Sequence, residues 1–213
     1  MKQTKVFLLI ALITISLNSY SQNADRKNNI SIAAGSQGYK GDLGSVWFKM
    51  DEELYGFAGI YYNRYLNKSF DLSISLTTGD YGHCVEEDDS LYREDGTEVL
   101  NMLGRLTCFI ISGKYKFTNG YILKENARIA PYIFFGGGVI NMSEHWWPNK
   151  ERANTGYFGS INGGVGARYN FSEKFNFTYS LGFGYLTTDK LDKRSEGSND
   201  MIMQSTGMLG FNF

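Results

Sequence analysis

The sequence predicts an all-β chain, an eight-stranded antiparallel up-and-down transmembrane β-barrel with short periplasmic turns and long extracellular loops. Three observations predict it. Residues 174–187 alternate without a slip, with Phe175, Phe177, Tyr179, Leu181, Phe183 and Tyr185 on one face and Asn176, Thr178, Ser180, Gly182 and Gly184 on the other, which is the period of a strand. Several further segments repeat the pattern, yet hydrophobic residues make up only 42% of the chain and mean hydropathy is -0.30. That is too little for two packed sheets or for several helical spans, and it suits a closed sheet whose aromatic face meets lipid and whose small, polar face lines the inside. Finally, the connections alternate long and short along the chain, an asymmetry that outer-membrane barrels have and a soluble meander has no reason to show.

Composition points the same way. The chain of 213 residues suits one domain, and 25 Gly, 15 Tyr and 15 Phe stand against 2 Pro. Aromatics favour a pleated surface, while glycine allows crowded walls and tight turns. The net charge of -1 gives no reason to expect nucleic acid as a partner.

The first segment reads as an address. Lys2 and Lys5 form a basic start, 6–17 is apolar, and Ser19-Tyr20-Ser21 places small residues where a signal peptidase reads, so residues 1–21 are expected to be cleaved. A retained anchor would need roughly 20 apolar residues. No Cys follows the apolar stretch, which removes the lipoprotein option. Residues 22–28 then form a short N-terminal segment and 29–213 the barrel domain.

Strands are predicted at 29–37, 54–66, 69–80, 104–117, 129–142, 157–171, 174–187 and 202–213. Phe70, Leu72, Ile74 and Leu76 oppose Asp71, Ser73, Ser75 and Thr77. Phe109, Ile111, Tyr115 and Phe117 oppose Ile110, Ser112, Lys114 and Lys116. Ile161, Val165, Ala167, Tyr169 and Phe171 oppose Asn162, Gly164, Gly166, Arg168 and Asn170. The fifth strand, PYIFFGGGVIN, is apolar on both faces and its pattern does not decide its facing; Pro131 fits near a strand start. Short turns are expected at 67–68, 118–126 and 172–173, and long loops at 38–53, 81–102, 143–156 and 188–201. Both chain ends then fall on the periplasmic side. Cys84 and Cys108 make neither a disulfide framework nor a metal motif; with Cys108 in mid-strand, two small, partly buried thiols are expected rather than a bridge.

The strings YYNRYLNKSFDLSISLTTGDYG at 61–82, APYIFFGGGV at 130–139 and LGFNF at 209–213 resemble the small eight-stranded outer-membrane β-barrels of the OmpA/OmpX type. The resemblance spans the mature chain. It implies a barrel in the bacterial outer membrane, inserted by the outer-membrane assembly machinery, for which the terminal aromatic strand with Leu209, Phe211 and Phe213 resembles the recognised signal. Some members of that family carry a further peptidoglycan-binding domain; none is expected after Phe213.

Functional candidates lie in the lumen and the loops. Extending the alternation puts Arg64, Asp71, Lys114 and Arg168 on the inner face near the periplasmic end, with Asp71 held between Lys114 and Arg64. An eight-stranded lumen is only wide enough for side chains, so charges there must pair; a structural plug is expected rather than a gate. The second loop carries Glu86, Glu87, Asp88, Asp89, Glu94 and Asp95, whose spacing is not that of a calcium loop, and no metal or cofactor is expected. The third carries His145, Trp146 and Trp147, candidates for the lipid interface or a partner. With only His83 and His145, neither followed by a Ser two places on, no catalytic constellation is recognised and the protein is expected not to be an enzyme. Two roles follow. The first is a monomeric structural and interaction platform whose loops touch lipopolysaccharide or other partners. The alternative is a narrow channel or apolar-ligand passage lined by Ile110, Ile133, Phe135 and Val139.

Overall fold

The computed structural model describes residues 26–40, 54–84, 91–92, 98–99, 101–147, 152–187 and 200–213. Its strands are β1 (Asn28–Lys40), β2 (Leu54–Tyr65), β3 (Phe70–Cys84), β4 (Leu91–Tyr92), β5 (Glu98–Val99), β6 (Asn101–Lys116), β7 (Ile129–Trp147), β8 (Arg152–Asn170), β9 (Phe175–Leu186) and β10 (Met201–Asn212). Eight of them close into an antiparallel barrel in the order β1-β10-β9-β8-β7-β6-β3-β2, while β4 and β5 pair only with each other. Closure joins the two ends of the chain. β1 pairs with β10 from Asn29↔Asn212 to Lys40↔Met201, and Asn28 and Phe213 exchange backbone hydrogen bonds of 3.0 and 2.9 Å. The expected signal peptide, residues 1–21, lies outside the described residues.

Alternation decides facing, as it must in a closed sheet. Ile30, Ile32, Phe109, Ile111, Val165 and Phe177 are exposed on the outer wall, whereas Ser31, Ser73, Ser75, Ser112, Thr178 and Ser180 are buried inside. Such a continuous apolar exterior far exceeds what a soluble monomer leaves uncovered, and every barrel strand is longer than the roughly 9–11 residues a tilted crossing needs. Among the described residues no helix is long and apolar enough to cross a membrane.

Three expectations change. On β7, Ile133, Phe135 and Val139 face outward and Tyr132, Phe134 and Ile140 face inward, so the first three line no conduit; of the four residues proposed for one, Ile110 alone points in. The third long loop is much shorter than expected, because β7 and β8 continue pairing up to His145↔Arg152 through a register shift between Ser143 and Glu144. The extra residue is Asn154 on β8, where it breaks the period of two; β7 runs on without a break into His145, Trp146 and Trp147, which were expected in a loop and are the last residues of β7. Likewise β3 and β6 continue to Cys84↔Asn101.

The short turns share one device, a side-chain oxygen that takes the place of a backbone acceptor. Asn67 Oδ1 accepts from the N–H groups of Ser69 and Phe70 at 2.9 and 2.8 Å, and Ser172 Oγ accepts from those of Lys174 and Phe175 at 3.3 and 3.1 Å. In the longest, 117–128, Asn119 Oδ1 accepts from Tyr121 and Ile122 at 3.0 and 3.1 Å beside Gly120, whose φ of 84° favours glycine.

Glycine also makes room in the lumen. Each of four inward aromatic side chains stands opposite a glycine across the ladder: Phe57 opposite Gly35 and Gly79, Tyr81 opposite Gly104, Tyr132 opposite Gly166, and Phe134 opposite Gly164. A Cβ on Gly166 would lie 2.5 Å from Tyr132 Cζ and 2.8 Å from the Tyr179 carbonyl oxygen. Because the second neighbour is backbone, the ring cannot relieve the clash by rotating alone. Gly166→Val is expected to destabilise the barrel by about 1–3 kcal/mol or more, read as a lower urea midpoint of the folded, heat-modifiable gel band.

Candidate functional site

The lumen is filled in three levels. At the short-turn end lies a layer of charges and amides. Asp71, Lys114, Arg168 and Lys116 are 1, 5, 5 and 8% exposed. Lys116 Nζ lies 2.6 Å from Asp71 Oδ1 and over the Tyr65 ring at 4.2 Å. Lys114 Nζ instead reaches past β3 and donates to Asn63 Oδ1 at 2.6 Å, with the Tyr132 ring 5.1 Å away. From there a relay of amides crosses the seam. Asn63 Nδ2 donates to Asn29 Oδ1 at 3.0 Å, Asn29 Nδ2 to Asn212 Oδ1 at 2.8 Å, and Asn176 Nδ2 to the same Asn212 oxygen at 3.1 Å. Side chains of β6, β2, β1, β10 and β9 are thus linked in one network, and it fastens the strand pair that closes the barrel.

This arrangement corrects the expected cluster. Arg64 is on the outer face: it is exposed, and its Nη1 donates to Asn28 Oδ1 at 3.3 Å. Asn63 takes the inner position in its place. In YYNRY both faces carry tyrosines, so facing there cannot be read from apolarity, and a guanidinium at the end of β2 reaches polar surroundings without entering the lumen. Nor is Asp71 paired with Lys114, although the two are backbone partners; the ion pair goes diagonally to Lys116. That residue was legible, lying two places from Lys114 and so on the same face. The amides Asn29, Asn63, Asn176 and Asn212 were not, because they come from four strands and meet only on closure.

Above the charges is a cavity of about 60 Å³. Tyr61, Ser75, Ser112, Tyr132, Ser180 and Thr206 line it with Lys114, Phe134 and Met208, while Ile110, Ile140 and Ile202, shared with the plug above, give it an apolar roof. The third level, toward the long connections, is an apolar plug in which Tyr81, Leu106, Cys108, Ile140, Met142, Leu186 and Ile202 pack together. Cys108 is a free thiol within it. Gln204 Nε2 donates to Gln37 Oε1 at 3.0 Å and Gln37 Nε2 to the Asp80 carbonyl at 2.9 Å.

The outer wall carries its own boundaries. At the short-turn end aromatic rings meet in pairs, Phe70–Tyr115 at 5.3 Å, Tyr169–Phe171 at 5.2 Å and Phe175–Phe211 at 5.3 Å between centroids, a girdle of the kind found where a barrel meets the membrane interface. Below it, Lys68 pairs with Glu125 and Arg26 with Glu173, each at 2.7 Å. On β3 and β6 the apolar wall stops at Leu76 and Phe109; beyond come the Thr78–Thr107 contact at 3.2 Å and the Arg105–Asp80 ion pair at 2.7 Å. Leu209, Phe211 and Phe213 lie on the exposed outer wall. Glu86, Glu87, Asp88 and Asp89 lie outside the described residues, as do the side chains of His83, His145, Trp146 and Trp147. Among the described residues no group of His, Cys, Asp or Glu is arranged to hold a metal ion.

A closed sheet of eight strands, apolar outside and filled inside, with tight turns at one rim, defines a small transmembrane barrel of the bacterial outer membrane. Solved structures of that class have the same fold. Neisserial surface protein A is 13% identical with a TM-score of 0.53, covering 87% of this chain and 97% of that one. A major outer membrane protein from Thermus thermophilus is 14% identical at 0.52, covering 87% and 99%. Ail, the attachment invasion locus protein of Yersinia pestis, solved with the heparin analogue sucrose octasulfate, is 14% identical at 0.51, covering 88% and 99%. No protein-family model and no curated protein sequence matches this chain.

Proposed function

We propose that this protein is a non-enzymatic surface platform of the outer membrane, whose lumen is a structural plug and whose outer rim contacts lipopolysaccharide or other partners. The observation that carries this reading is the contrast between the two ends of the wall. The lumen is obstructed by the charge layer and by the apolar plug, while β3, β6, β7 and β8, of 15, 16, 19 and 19 residues, outrun the 12 or 13 of the other four. The excess lies on the long-connection side, beyond the Arg105–Asp80 pair, where it raises a four-stranded sheet toward the loops. Such an elevation serves contact and adds nothing to a pore.

Ail was solved with a sulfated ligand; the acidic run from Glu86 to Asp89 would repel a polyanion, so recognition here favours a basic partner or lipopolysaccharide bridged by divalent cations. Purified protein in planar bilayers is expected to give no steady single-channel steps. In liposomes bearing lipopolysaccharide, Mg²⁺ is expected to raise its unfolding midpoint, and Glu86→Gln, Glu87→Gln, Asp88→Asn, Asp89→Asn together to abolish that increment. Regular conductance steps would overturn the platform in favour of a channel, and an Mg²⁺ effect unchanged in the variant would remove the acidic run from the contact.

A further inference from the structure

We propose that the central cavity of the lumen binds a short-chain monocarboxylate of the size of acetate or propionate, with its carboxylate on Lys114 and its alkyl end under the apolar roof. Charge, hydrogen-bonding capacity, shape and size all point to that class. Among the described residues the buried layer holds Lys114 and Lys116 beside one carboxylate, Asp71, and the oxygen of Asp71 that forms an ion pair is taken by Lys116. Lys114 has three N–H donors; one goes to Asn63 Oδ1, a neutral acceptor, and its side chain forms part of the cavity wall. A buried ammonium is costly without a counter-charge, and among the described residues no Asp or Glu lines the cavity. Side-chain hydroxyls do, among them those of Tyr61, Ser112 and Tyr132, the last in a residue only 4% exposed. A wall rich in O–H donors around one ammonium suits an anion.

Shape narrows the choice. Ile110, Ile140 and Ile202, which also pack in or against the apolar plug, close the side away from Lys114, which offers a halide or phosphate nothing but rewards a methyl or ethyl group. A cavity of about 60 Å³ holds roughly four waters at about 15 Å³ each, the heavy-atom count of acetate. The site is independent of the surface role, since it lies beneath the apolar plug, so a failure of one reading leaves the other standing.

Because the cavity lies between the charge layer and the apolar plug, the anion is best loaded during refolding. The full mature chain refolded into detergent with sodium acetate or propionate is expected to lose its folded gel band at a temperature roughly 5 °C higher than with sodium gluconate at the same ionic strength. Gluconate is too large to enter. Lys114→Met is expected to abolish the difference, and so is Ser112→Ile, which fills the cavity floor and leaves the ammonium in place. Should Lys114→Met fail to fold, Ser112→Ile decides. Equal midpoints in acetate and gluconate for the parent, an increment that survives Ser112→Ile, or chloride acting as strongly as acetate would each overturn the assignment.

Discussion

Asp71→Ala is expected to lower the stability of the barrel by about 3–5 kcal/mol, the cost of leaving a buried charge without its partner. The reason lies in the arithmetic of the lower lumen. Lys114, Lys116 and Arg168 share the layer with one carboxylate that is 1% exposed, and removing it takes away the counter-charge of Lys116. Lys116 loses a contact of 2.6 Å, and its side chain, only 9% exposed, gains little hydration in exchange. Asp71→Ala combined with Lys116→Met is expected to recover most of the loss, because an apolar pair of similar volume replaces the desolvated one. Urea titration of the heat-modifiable band in detergent or liposomes measures both. If the single and double variants unfolded at the same midpoint, the Asp71–Lys116 pair would not be what holds this layer.

The second large effect belongs to the outer wall. Ile111→Arg is expected to destabilise the membrane-inserted barrel by about 2–4 kcal/mol, the depth-dependent cost of a cation on the lipid face near the bilayer middle. Ile111 is 45% exposed and stands opposite Ile74 on β3 and Gly137 on β7, away from both polar boundaries. Arg105, on the same face of β6 but beside Asp80, already carries a guanidinium at the far edge of the wall. Arg105→Ile is therefore expected to change stability by under about 1 kcal/mol, as exposed ion pairs do. Folding into liposomes, followed by reversible denaturant unfolding, gives the two values side by side. A small penalty at Ile111 would mean that the outer wall does not meet hydrocarbon there.

How much of this was legible depends on whether one face of a strand was chemically distinct from the other. β9 was clear from its alternation alone, and so were the facings of β3, β6 and the inner half of β8, because hydroxyls or glycines oppose rings and branched aliphatics. β2 and β7 were not. YYNRY and PYIFFGGGV are apolar or aromatic on both sides, so nothing local separates in from out, and Arg64 and Phe135 were placed on the wrong face. Their facing is inherited from neighbours through register: once Asn63 pairs with Ser73 and Asn29, and Phe135 with Gly163 and Gly113, no choice remains. The outer ends of β7 and β8 were hidden for another reason, since polar residues begin at Ser143 and the bulge at Asn154 shifts the period of β8.

By itself the sequence determined that the chain is all-β, that it closes into eight antiparallel strands with lipid outside, and which rim carries the tight turns. Those properties come from local periodicity and connection length, each confined to a dozen or so neighbouring residues. Only the tertiary structure decided which cation meets Asp71, that a line of asparagines fastens β1 to β10, and that a cavity lies beside Lys114. Each of these requires side chains from strands far apart in the chain to meet inside a lumen one side chain wide, and their partners are set by barrel closure, stagger and reach.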